Sequence, residues 1–323
     1  MLNKNKVLVI GASGSLGSGL CNEINKKYNI TATYLNNKIE NKNVTWTNLD
    51  ITDELSFNKL ESDYDAVILI AGAMPATMKG YDKKKYFKVN VEGTLNVLEF
   101  CRKNKIKKII YIMTFSDRYD DFYSGKPILD DGNYSLNYKG DHAIYSISKV
   151  SACELLEHYH QEYGLQTIIF RIPTVYCYDD KVDYYVDGIK KTKAYITMIR
   201  DVIHNNKIEI WGDSSAAKDM PYIKDFSNLI SLAIEDDKAQ GIYNAGTGKP
   251  VTLDSFVDSI IKVFSNGHKI EKIYKSNANS QPNFTFNMEK TCNTFGYEAS
   301  YSCLDMLEDI KINLPSELLY DIK

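Results

Sequence analysis

The sequence predicts an α/β protein with a doubly wound parallel sheet and a smaller α/β domain after it. First, the apolar run at residues 7–10 is followed at once by glycines at positions 11, 14 and 17. Second, apolar strand-like runs alternate with helix-like segments through the first half of the chain, which is the pattern of parallel sheets covered by helices on both faces. Third, no internal repeat or low-complexity segment indicates another architecture.

The first strand and its glycine-rich turn predict a dinucleotide site rather than an ordinary glycine turn. Gly11 permits a sharp turn, Gly14 permits close approach of backbone to a pyrophosphate, and Gly17 permits tight helix–strand packing. The helix predicted over 16–27 then directs its N-terminal amides at the phosphates. The predicted cofactor-binding residues of this turn are Gly11, Ser13, Gly14, Ser15, Leu16 and Gly17.

The second strand, predicted over 30–35, bears on the choice of cofactor. Rossmann proteins that use NAD place a carboxylate at the end of this strand, to bind the ribose 2′-hydroxyl. Here the end reads Tyr-Leu-Asn-Asn-Lys at 34–38, so NADP is favoured over NAD. Tyr34, Asn36 and Lys38 are the predicted contacts, although Lys38 also fits an ordinary solvated loop lysine.

The strands that follow along the chain indicate where the cofactor and the substrate would lie together. The buried strand predicted over 66–70 runs into Ala71, Gly72 and Ala73, whose small side chains leave room for a cofactor at the sheet edge. A helix over 84–104 and a strand over 109–113 follow. The long polar connection at 115–143 is predicted to be an active-site loop.

Composition and charge exclude several classes of protein. The chain has 323 residues, a net charge of −3 and 44% hydrophobic residues, so it lacks the basic field of a nucleic-acid binder. Its six cysteines are scattered, which favours free thiols, and His158 and His160 are spaced to face different directions, so no metal site is expected. With no signal-peptide pattern and no long apolar run, we expect a soluble cytoplasmic protein without a membrane partner.

Tyr145 and Lys149 are the predicted acid/base pair. They open a helix predicted to run to about residue 163 and to end at Gly164, and positions four apart share one helix face. A free phenol has a pKa near 10, but a nearby ammonium and an oxidised nicotinamide favour the phenolate. The pair therefore suits hydride transfer between nicotinamide and a carbinol carbon, which requires a proton to move on oxygen.

The spacing YxxxK is weak evidence alone, because Tyr81 and Lys85 also match it on a predicted surface helix. Tyr145 differs in following the fifth strand, whose end carries Thr114. That hydroxyl would lie at the carboxyl edge of the sheet, where it can bond the substrate oxygen. Ser116 is the alternative for this role, with Thr114 favoured.

Taken together, the motifs resemble the extended short-chain dehydrogenase/reductases, that is, the nucleotide-sugar epimerase/dehydratase/reductase family, over nearly the whole chain. The matching segments are GASGSLG at 11–17, NVEGT at 90–94, YIMT at 111–114, YSISK at 145–149, FRIPTVY at 170–176, KDMPYIKD at 218–225 and GIYNAGTG at 241–248.

The resemblance implies further site residues and partners. Asn90 would complete a catalytic tetrad by holding Lys149, and Asp50 with Ile51 would meet the adenine, although Asp50 also fits a helix cap. Ile172 would contact the cofactor. The substrate would be a nucleotide-diphosphate sugar, and helices 84–104 and 145–163 would pair in a homodimer. The implied substrate-binding residues are Met74, Phe115, Ser116, Thr174, Lys218 and Gln281.

Departures from the family pattern narrow the expected activity. Family dehydratases follow the Ser/Thr with Asp-Glu, whereas Phe115 and Ser116 stand here and Asp117 lies one place further, so 4,6-dehydratase activity is not expected. Lys218 replaces an arginine that contacts the nucleotide diphosphate, and a lysine is a point charge rather than a fork. Gln281 stands where 4-ketosugar reductases tend to have arginine.

We expect a cofactor domain at 1–172 plus 222–245 and a substrate domain at 173–221 plus 246–323. Reduction of a 4-keto sugar is the first expectation, a C4 epimerase with bound NAD the second, and a non-catalytic NAD(P)-binding regulator the alternative from another class. The acidic run at 179–183 is predicted to be a solvated loop, with a substrate lid as the alternative.

Overall fold

The computed structural model describes residues 5–39, 41–122, 124–178, 180–186, 188–275 and 282–320. In its first half strands alternate with helices, as predicted. The elements are β1 (Lys6–Ile10), α1 (Ser15–Ile24), β2 (Asn29–Tyr34), β3 (Thr45–Asn48), β4 (Ala66–Leu69), α2 (Lys83–Phe87), α3 (Gly93–Lys103), β5 (Lys108–Thr114), α4 (Asp141–Tyr163) and β6 (Gln166–Ile172).

The second half adds shorter strands and a group of helices. Its elements are β7 (Asp183–Val186), β8 (Ile189–Thr192), α5 (Ala194–Asn205), β9 (Lys207–Trp211), β10 (Ala217–Lys218), α6 (Ile223–Glu235), β11 (Gly241–Asn244), β12 (Val251–Thr252), α7 (Leu253–Phe264), β13 (Glu271–Lys275), α8 (Glu289–Phe295), α9 (Cys303–Asn313) and α10 (Glu317–Tyr320).

The main sheet has seven parallel strands in the order β11-β6-β5-β4-β1-β2-β3. Alternate residues of β1 serve two apolar clusters, Val7 and Val9 in one and Leu8 and Ile10 in the other. Because side chains alternate across a strand, these clusters lie on opposite faces of the sheet. The predicted doubly wound fold, with helices covering both faces, is therefore confirmed.

The remaining strands form three small sheets beside the main one. β7 and β8 make an antiparallel pair, β9 and β13 a parallel pair, and β10 and β12 an antiparallel pair. Strand β11 and helix α6 return to the main sheet, since β11 pairs with β6 and α6 packs on α1. The chain thus leaves the sheet after β6, re-enters it at α6 and β11, and leaves it again.

Element boundaries differ from the sequence-based expectation at the catalytic helix. Helix α4 begins at Asp141, one turn before Tyr145, because Gly140 takes a positive φ of 76° that ends the preceding loop. Its predicted end at Gly164 is confirmed, with φ 68° in the left-handed region. A single π-helical turn, Lys88–Glu92, joins α2 to α3.

Across the described ranges, every helix is either too short or too polar to traverse a bilayer.

Candidate active site

The glycine-rich turn after β1 is tightly closed. Gly11 has φ 91°, and a Cβ there would lie 2.5 Å from the Ala71 nitrogen, while a Cβ at Gly17 would lie 2.5 Å from the Gly11 oxygen. At Gly14, the Gly11 oxygen is the one atom of the described residues that lies within 4 Å of an added Cβ, at 3.4 Å, so these residues leave the space above Gly14 open. Helix α1 starts at the next residue, Ser15, and Leu16 packs on the core.

This geometry fits the pyrophosphate of a dinucleotide. An open space over a side-chain-free residue, at the start of a helix whose first amides lack intrahelical partners, is the arrangement that binds phosphate in doubly wound folds. Added side chains at Gly11 or Gly17 would collide with backbone, so these two glycines shape the turn while Gly14 leaves room for the ligand.

The end of β2 presents polar groups to solvent. Asn48 fixes the backbone there, since its Nδ2 donates to the Tyr34 oxygen at 3.3 Å and to the Leu35 oxygen at 2.7 Å. The Tyr34 ring lies edge-on to that of Trp46, whereas Asn36 and Lys38 are exposed. The strand end therefore offers amides and an ammonium, and residues 34–38 carry no carboxylate.

Asp50 does not cap the helical turn that follows β3. Its Oδ1 accepts hydrogen bonds from the Thr52 nitrogen at 2.9 Å and the Thr52 hydroxyl at 2.8 Å. The cap is Asp53, whose carboxylate accepts from the Leu55 nitrogen at 3.1 Å. Asp53, not Asp50, directly precedes the 3₁₀ turn, so the capping alternative was wrong. Ile51 is buried, and a Cβ on Gly93 would come within 2.7 Å of it.

The Asn90 side chain binds the backbone of the segment that follows β4. Its Oδ1 accepts from the Ala73 nitrogen at 2.7 Å, and its Nδ2 donates to the Ala73 oxygen at 2.9 Å. A Cβ on Gly72 would lie 3.1 Å from the same Oδ1. Since Ala71 also donates to the Ile10 oxygen at 2.9 Å, this small-residue edge is held rigidly beside the glycine-rich turn.

Asn90 reaches the catalytic helix through a chain of two hydrogen bonds. The Asn90 Nδ2 donates to the Ser148 hydroxyl at 2.9 Å, and that hydroxyl donates to the Tyr145 carbonyl at 2.7 Å. Asn90 therefore braces the backbone of the catalytic helix next to Lys149. That Asn90 also helps to hold the Lys149 side chain stays a prediction, and that side chain faces β5.

Lys149 is bound by β5. Its Nζ donates to the Ile112 carbonyl at 2.7 Å and lies 4.0 Å from the centre of the Tyr111 ring. The side chain is 5% exposed, and this burial lowers the pKa of Lys149 to about 8. A carbonyl and an aromatic face both favour the ammonium form, so they partly offset the cost of burying the charge.

Tyr145 lies half-buried between Thr114 and a small aromatic group. Burial raises the pKa of Tyr145 to about 12, and a hydrogen bond from Thr114 partly offsets that rise. The Thr114 hydroxyl is also 3.0 Å from the Ser116 hydroxyl, so both candidates for the substrate-binding hydroxyl lie together. Without a bound cofactor, burial therefore favours the protonated phenol, and Tyr145 needs a nearby positive charge to act as a base.

The buried ammonium leads to a prediction about stability. A lysine whose folded pKa is about 8 instead of 10.5 carries a burial penalty below pH 8 that disappears as pH rises toward 10.5. Between pH 7 and 10.5 the wild type should gain about 3 kcal/mol of unfolding free energy more than Lys149→Met. Urea titrations at both pH values measure this difference.

The control for that experiment is Lys191→Met, which removes an exposed lysine. It should follow the wild type at both pH values. Equal pH dependence of the wild type and Lys149→Met would show that Lys149 titrates normally and that the described burial of its charge is incorrect.

Phe115 occupies the position after Thr114 and joins an aromatic cluster. Its ring centre lies 5.0 Å from that of Phe122 and 4.9 Å from that of Phe284. An apolar wall, rather than a carboxylate, therefore adjoins the catalytic strand end. The expectation that the acid and base of a 4,6-dehydratase are missing here stays a prediction.

Asp117 is fully buried and bound by Arg171. The Arg171 Nη2 donates to Asp117 Oδ2 at 2.8 Å, and its Nε donates to both carboxylate oxygens at 3.0 Å. Burial raises the pKa of Asp117, while the guanidinium beside it opposes that shift. Neither side chain is exposed, so Asp117 supports the active-site loop and cannot reach a substrate.

The predicted substrate residues are more scattered. Lys218 Nζ lies 6.0 Å from the centre of the Tyr176 ring, and Thr174 is exposed. Met74 is 40% exposed at the end of β4, and Ile172 stands opposite Thr114 in the β5–β6 register. Gln281 lies outside the described residues.

Three residues contribute to the site in ways that no sequence motif indicates. Tyr111 lies under Lys149, Ser148 connects Asn90 to the catalytic helix, and Lys181 donates from its Nζ to the Ser13 oxygen of the glycine-rich turn at 2.6 Å. The first two fall inside matched segments, YIMT and YSISK, but their roles depend on contacts between segments.

The fold and this constellation together define a Rossmann dehydrogenase-type protein with a tyrosine and a lysine at the carboxyl edge of the sheet. The sequence matches the NAD dependent epimerase/dehydratase family over residues 7–246, and the chain belongs to that family. The resemblance to extended short-chain dehydrogenase/reductases is thereby confirmed.

Individual relatives carry names from nucleotide-sugar chemistry. The chain is 26% identical to a dTDP-D-glucose 4,6-dehydratase of Dictyostelium discoideum, over 80% of this chain and 62% of the relative. It is 26% identical to a UDP-glucuronate 4-epimerase of Thermodesulfobacterium geofontis, over 77% of this chain and 73% of the relative. A UDP-glucose 4-epimerase of Brucella ovis, solved with NAD, has the same fold, with TM-score 0.77, 20% identity and coverage of 99% and 100%.

Proposed function

We propose that this protein is an NAD(P)-dependent enzyme that moves a hydride at C4 of a nucleotide-diphosphate sugar, and specifically a C4 epimerase. The observation that carries the proposal is the placement of Tyr145, Thr114 and Lys149 at the carboxyl edge of the sheet, beside the glycine-rich turn. The ligands would lie between the cofactor part, 1–172 plus 222–245, and the substrate part, 173–221 plus 246–323.

Each residue has a distinct chemical role in this proposal. When bound, the nicotinamide of the cofactor accepts and returns a hydride. Tyr145 takes the proton of the C4 hydroxyl as the carbonyl forms and gives it back when the carbonyl is reduced. Thr114 bonds the same oxygen, and the Lys149 ammonium stabilises the phenolate form of Tyr145.

The cofactor contacts follow from the turn and the strand ends. The amides around Gly14 and Ser15 would bind the pyrophosphate, and Ala71, Gly72 and Ala73 would leave space for the ribose and nicotinamide. Tyr34, Asn36, Asp50 and Ile51 would surround the adenosine. Lys149 would bond the nicotinamide ribose.

Epimerase activity has more support than dehydratase activity. Elimination of water needs an acid and a base near C5 and C6, but Phe115 belongs to an aromatic cluster and Asp117 is bound by Arg171. One of the two sequence relatives reported above is named a UDP-glucuronate 4-epimerase. With the nicotinamide cofactor bound, epimerisation needs no protein group beyond the hydroxyl, phenol and ammonium already described.

Reduction of a 4-keto sugar is the second candidate, favoured by the end of β2. Exposed Asn36 and Lys38 there would accommodate a 2′-phosphate, which suits an NADP that exchanges at every turnover. Titration with NADH and NADPH separates the two candidates. Retained NAD after purification supports the epimerase, whereas clear preference for exchangeable NADPH supports the reductase.

An exposed apolar groove supports a homodimer. It is formed by Phe87, Val91, Leu95 and Leu155, where α2, α3 and α4 meet, and Phe87 and Leu95 are 42% and 38% exposed. Two copies paired about a two-fold axis would bury this groove in a four-helix interface. Leu95→Glu should convert the dimer to a monomer in light scattering at micromolar concentration.

The matched control is Ile312→Glu, which alters an exposed apolar residue on α9, away from the groove. It should leave the molecular mass unchanged. A wild-type monomer at micromolar concentration, or a dimer that persists in Leu95→Glu, would refute this interface.

A further inference from the structure

Lys181 crosses from the second half of the chain to the glycine-rich turn. Its Nζ donates to the Ser13 carbonyl at 2.6 Å, over a separation of 168 residues. The side chain is half-buried at this position. An ammonium is therefore held at the edge of the turn that fits the cofactor pyrophosphate.

The backbone that follows Lys181 is anchored to the core, and Tyr178, which precedes it in the chain, contacts α1. Val182 is 7% exposed within the main core cluster, and its carbonyl accepts from the Lys193 nitrogen at 2.8 Å. On the other side, the Tyr178 hydroxyl donates to the Glu23 carboxylate on α1. Because these contacts restrict the segment before any ligand binds, little ordering cost would remain for the ammonium.

The turn itself lacks a charge to match a pyrophosphate. Residues 11–17 contain only glycine, alanine, serine and leucine. The N-terminus of a helix supplies about half of a positive charge, whereas a pyrophosphate brings about two negative charges. The Lys181 ammonium supplies a full positive charge within reach of the turn, at the place where that charge is needed.

We propose that Lys181 binds the pyrophosphate of the dinucleotide cofactor. The second half of the chain would then hold the cofactor against the glycine-rich turn, and we call this contact of Lys181 the cofactor clasp. On binding, the ammonium turns from the Ser13 carbonyl to a phosphate oxygen, which makes a stronger, charge-assisted hydrogen bond. The inference rests on the proposed cofactor use and is independent of the sugar.

This role also explains how the cofactor would be retained. Release requires the Lys181–phosphate bond to break while Val182, the next residue, keeps its place in the core. Cofactor dissociation should therefore be slow, as an epimerase that keeps its NAD requires.

The test compares NADH binding by the wild type, Lys181→Met and Lys181→Gln, followed by nicotinamide fluorescence. Loss of a hydrogen bond to a charged group should weaken NADH binding by about 10- to 100-fold in both variants. ADP-ribose affinity should fall equally and adenosine affinity should not change, because adenosine lacks the pyrophosphate. Added salt should weaken NADH binding more in the wild type than in either variant.

Lys181→Gln guards against a purely structural explanation. Glutamine can still donate a hydrogen bond to the Ser13 carbonyl. A purely structural role of Lys181 would therefore survive this change, whereas its positive charge would be lost. Lys191→Met, an exposed lysine on β8, should bind NADH as the wild type does. Wild-type NADH affinity in Lys181→Gln would overturn the proposal, even if Lys181→Met failed to fold.

Two further outcomes separate this inference from the function on which it rests. Reduced affinity for UDP with unchanged affinity for NADH would assign Lys181 to the substrate and overturn the cofactor clasp. A wild-type protein that binds neither NADH nor NADPH would instead contradict the proposed function itself.

Discussion

Tyr145→Phe is expected to lower turnover by at least about 10²- to 10⁴-fold, because the reaction loses its only positioned proton carrier in the proposed mechanism. Thr114 lowers the pKa of this phenol, and the Tyr145 ring packs beside that of Tyr86, with the ring centres 6.1 Å apart. Phenylalanine keeps that packing. Cofactor affinity should therefore stay within about twofold of the wild type, so the loss would fall on kcat.

The chain contains its own control for this experiment. Tyr81 also precedes a lysine by four residues, but it is 49% exposed and lies before α2. Tyr81→Phe should retain wild-type turnover. Full activity in Tyr145→Phe, measured with the same sugar and cofactor, would remove Tyr145 from the mechanism.

Arg171→Met is expected to have the largest effect on stability, about 3–5 kcal/mol of unfolding free energy, because it leaves a buried carboxylate without its partner. Arg171 also donates to the Leu129 carbonyl at 3.1 Å and to Asn244 Oδ1 at 3.0 Å. The Arg171 side chain thus connects β6 to β11 and to the active-site loop by hydrogen bonds. Its loss should also disorder that loop.

Urea titration measures this effect, and Arg102→Met is the matched control. Arg102 makes a surface pair with Glu99 at 2.8 Å, and such a solvent-exposed pair should contribute little to the free energy of unfolding. A second variant, Arg171→Met with Asp117→Leu, should recover part of the loss, since it removes the unpaired charge. Equal destabilisation by Arg171→Met and Arg102→Met would contradict the described buried network.

Much of the fold could be predicted because its signals are local. The apolar runs of β1, β4 and β5 read directly as buried strands, and Gly164 ends α4 as expected. Boundaries were less certain, since the start of α4 depends on the positive φ of Gly140 at the end of a long loop. The π-helical turn at Asn90 has no sequence signal.

The site residues also differ in whether a local sequence signal predicts them. Tyr145 and Lys149 share a helix face, so their proximity follows from spacing alone. The partners of Lys149 are a backbone carbonyl and the face of Tyr111, and neither leaves a pattern in the sequence. The Asp117–Arg171 and Lys181–Ser13 contacts join residues 54 and 168 positions apart, which only the tertiary structure brings together.

Isotopic labelling tests reversible hydride transfer at C4 most directly. The protein would be incubated with UDP-glucose, UDP-N-acetylglucosamine and UDP-glucuronate carrying deuterium at C4, and the products followed by NMR. We expect a C4 epimer of at least one sugar with the deuterium still at C4, because the hydride returns to the carbon it left. An epimer that has lost the C4 deuterium to solvent, or no epimer from any of the sugars, would contradict the account.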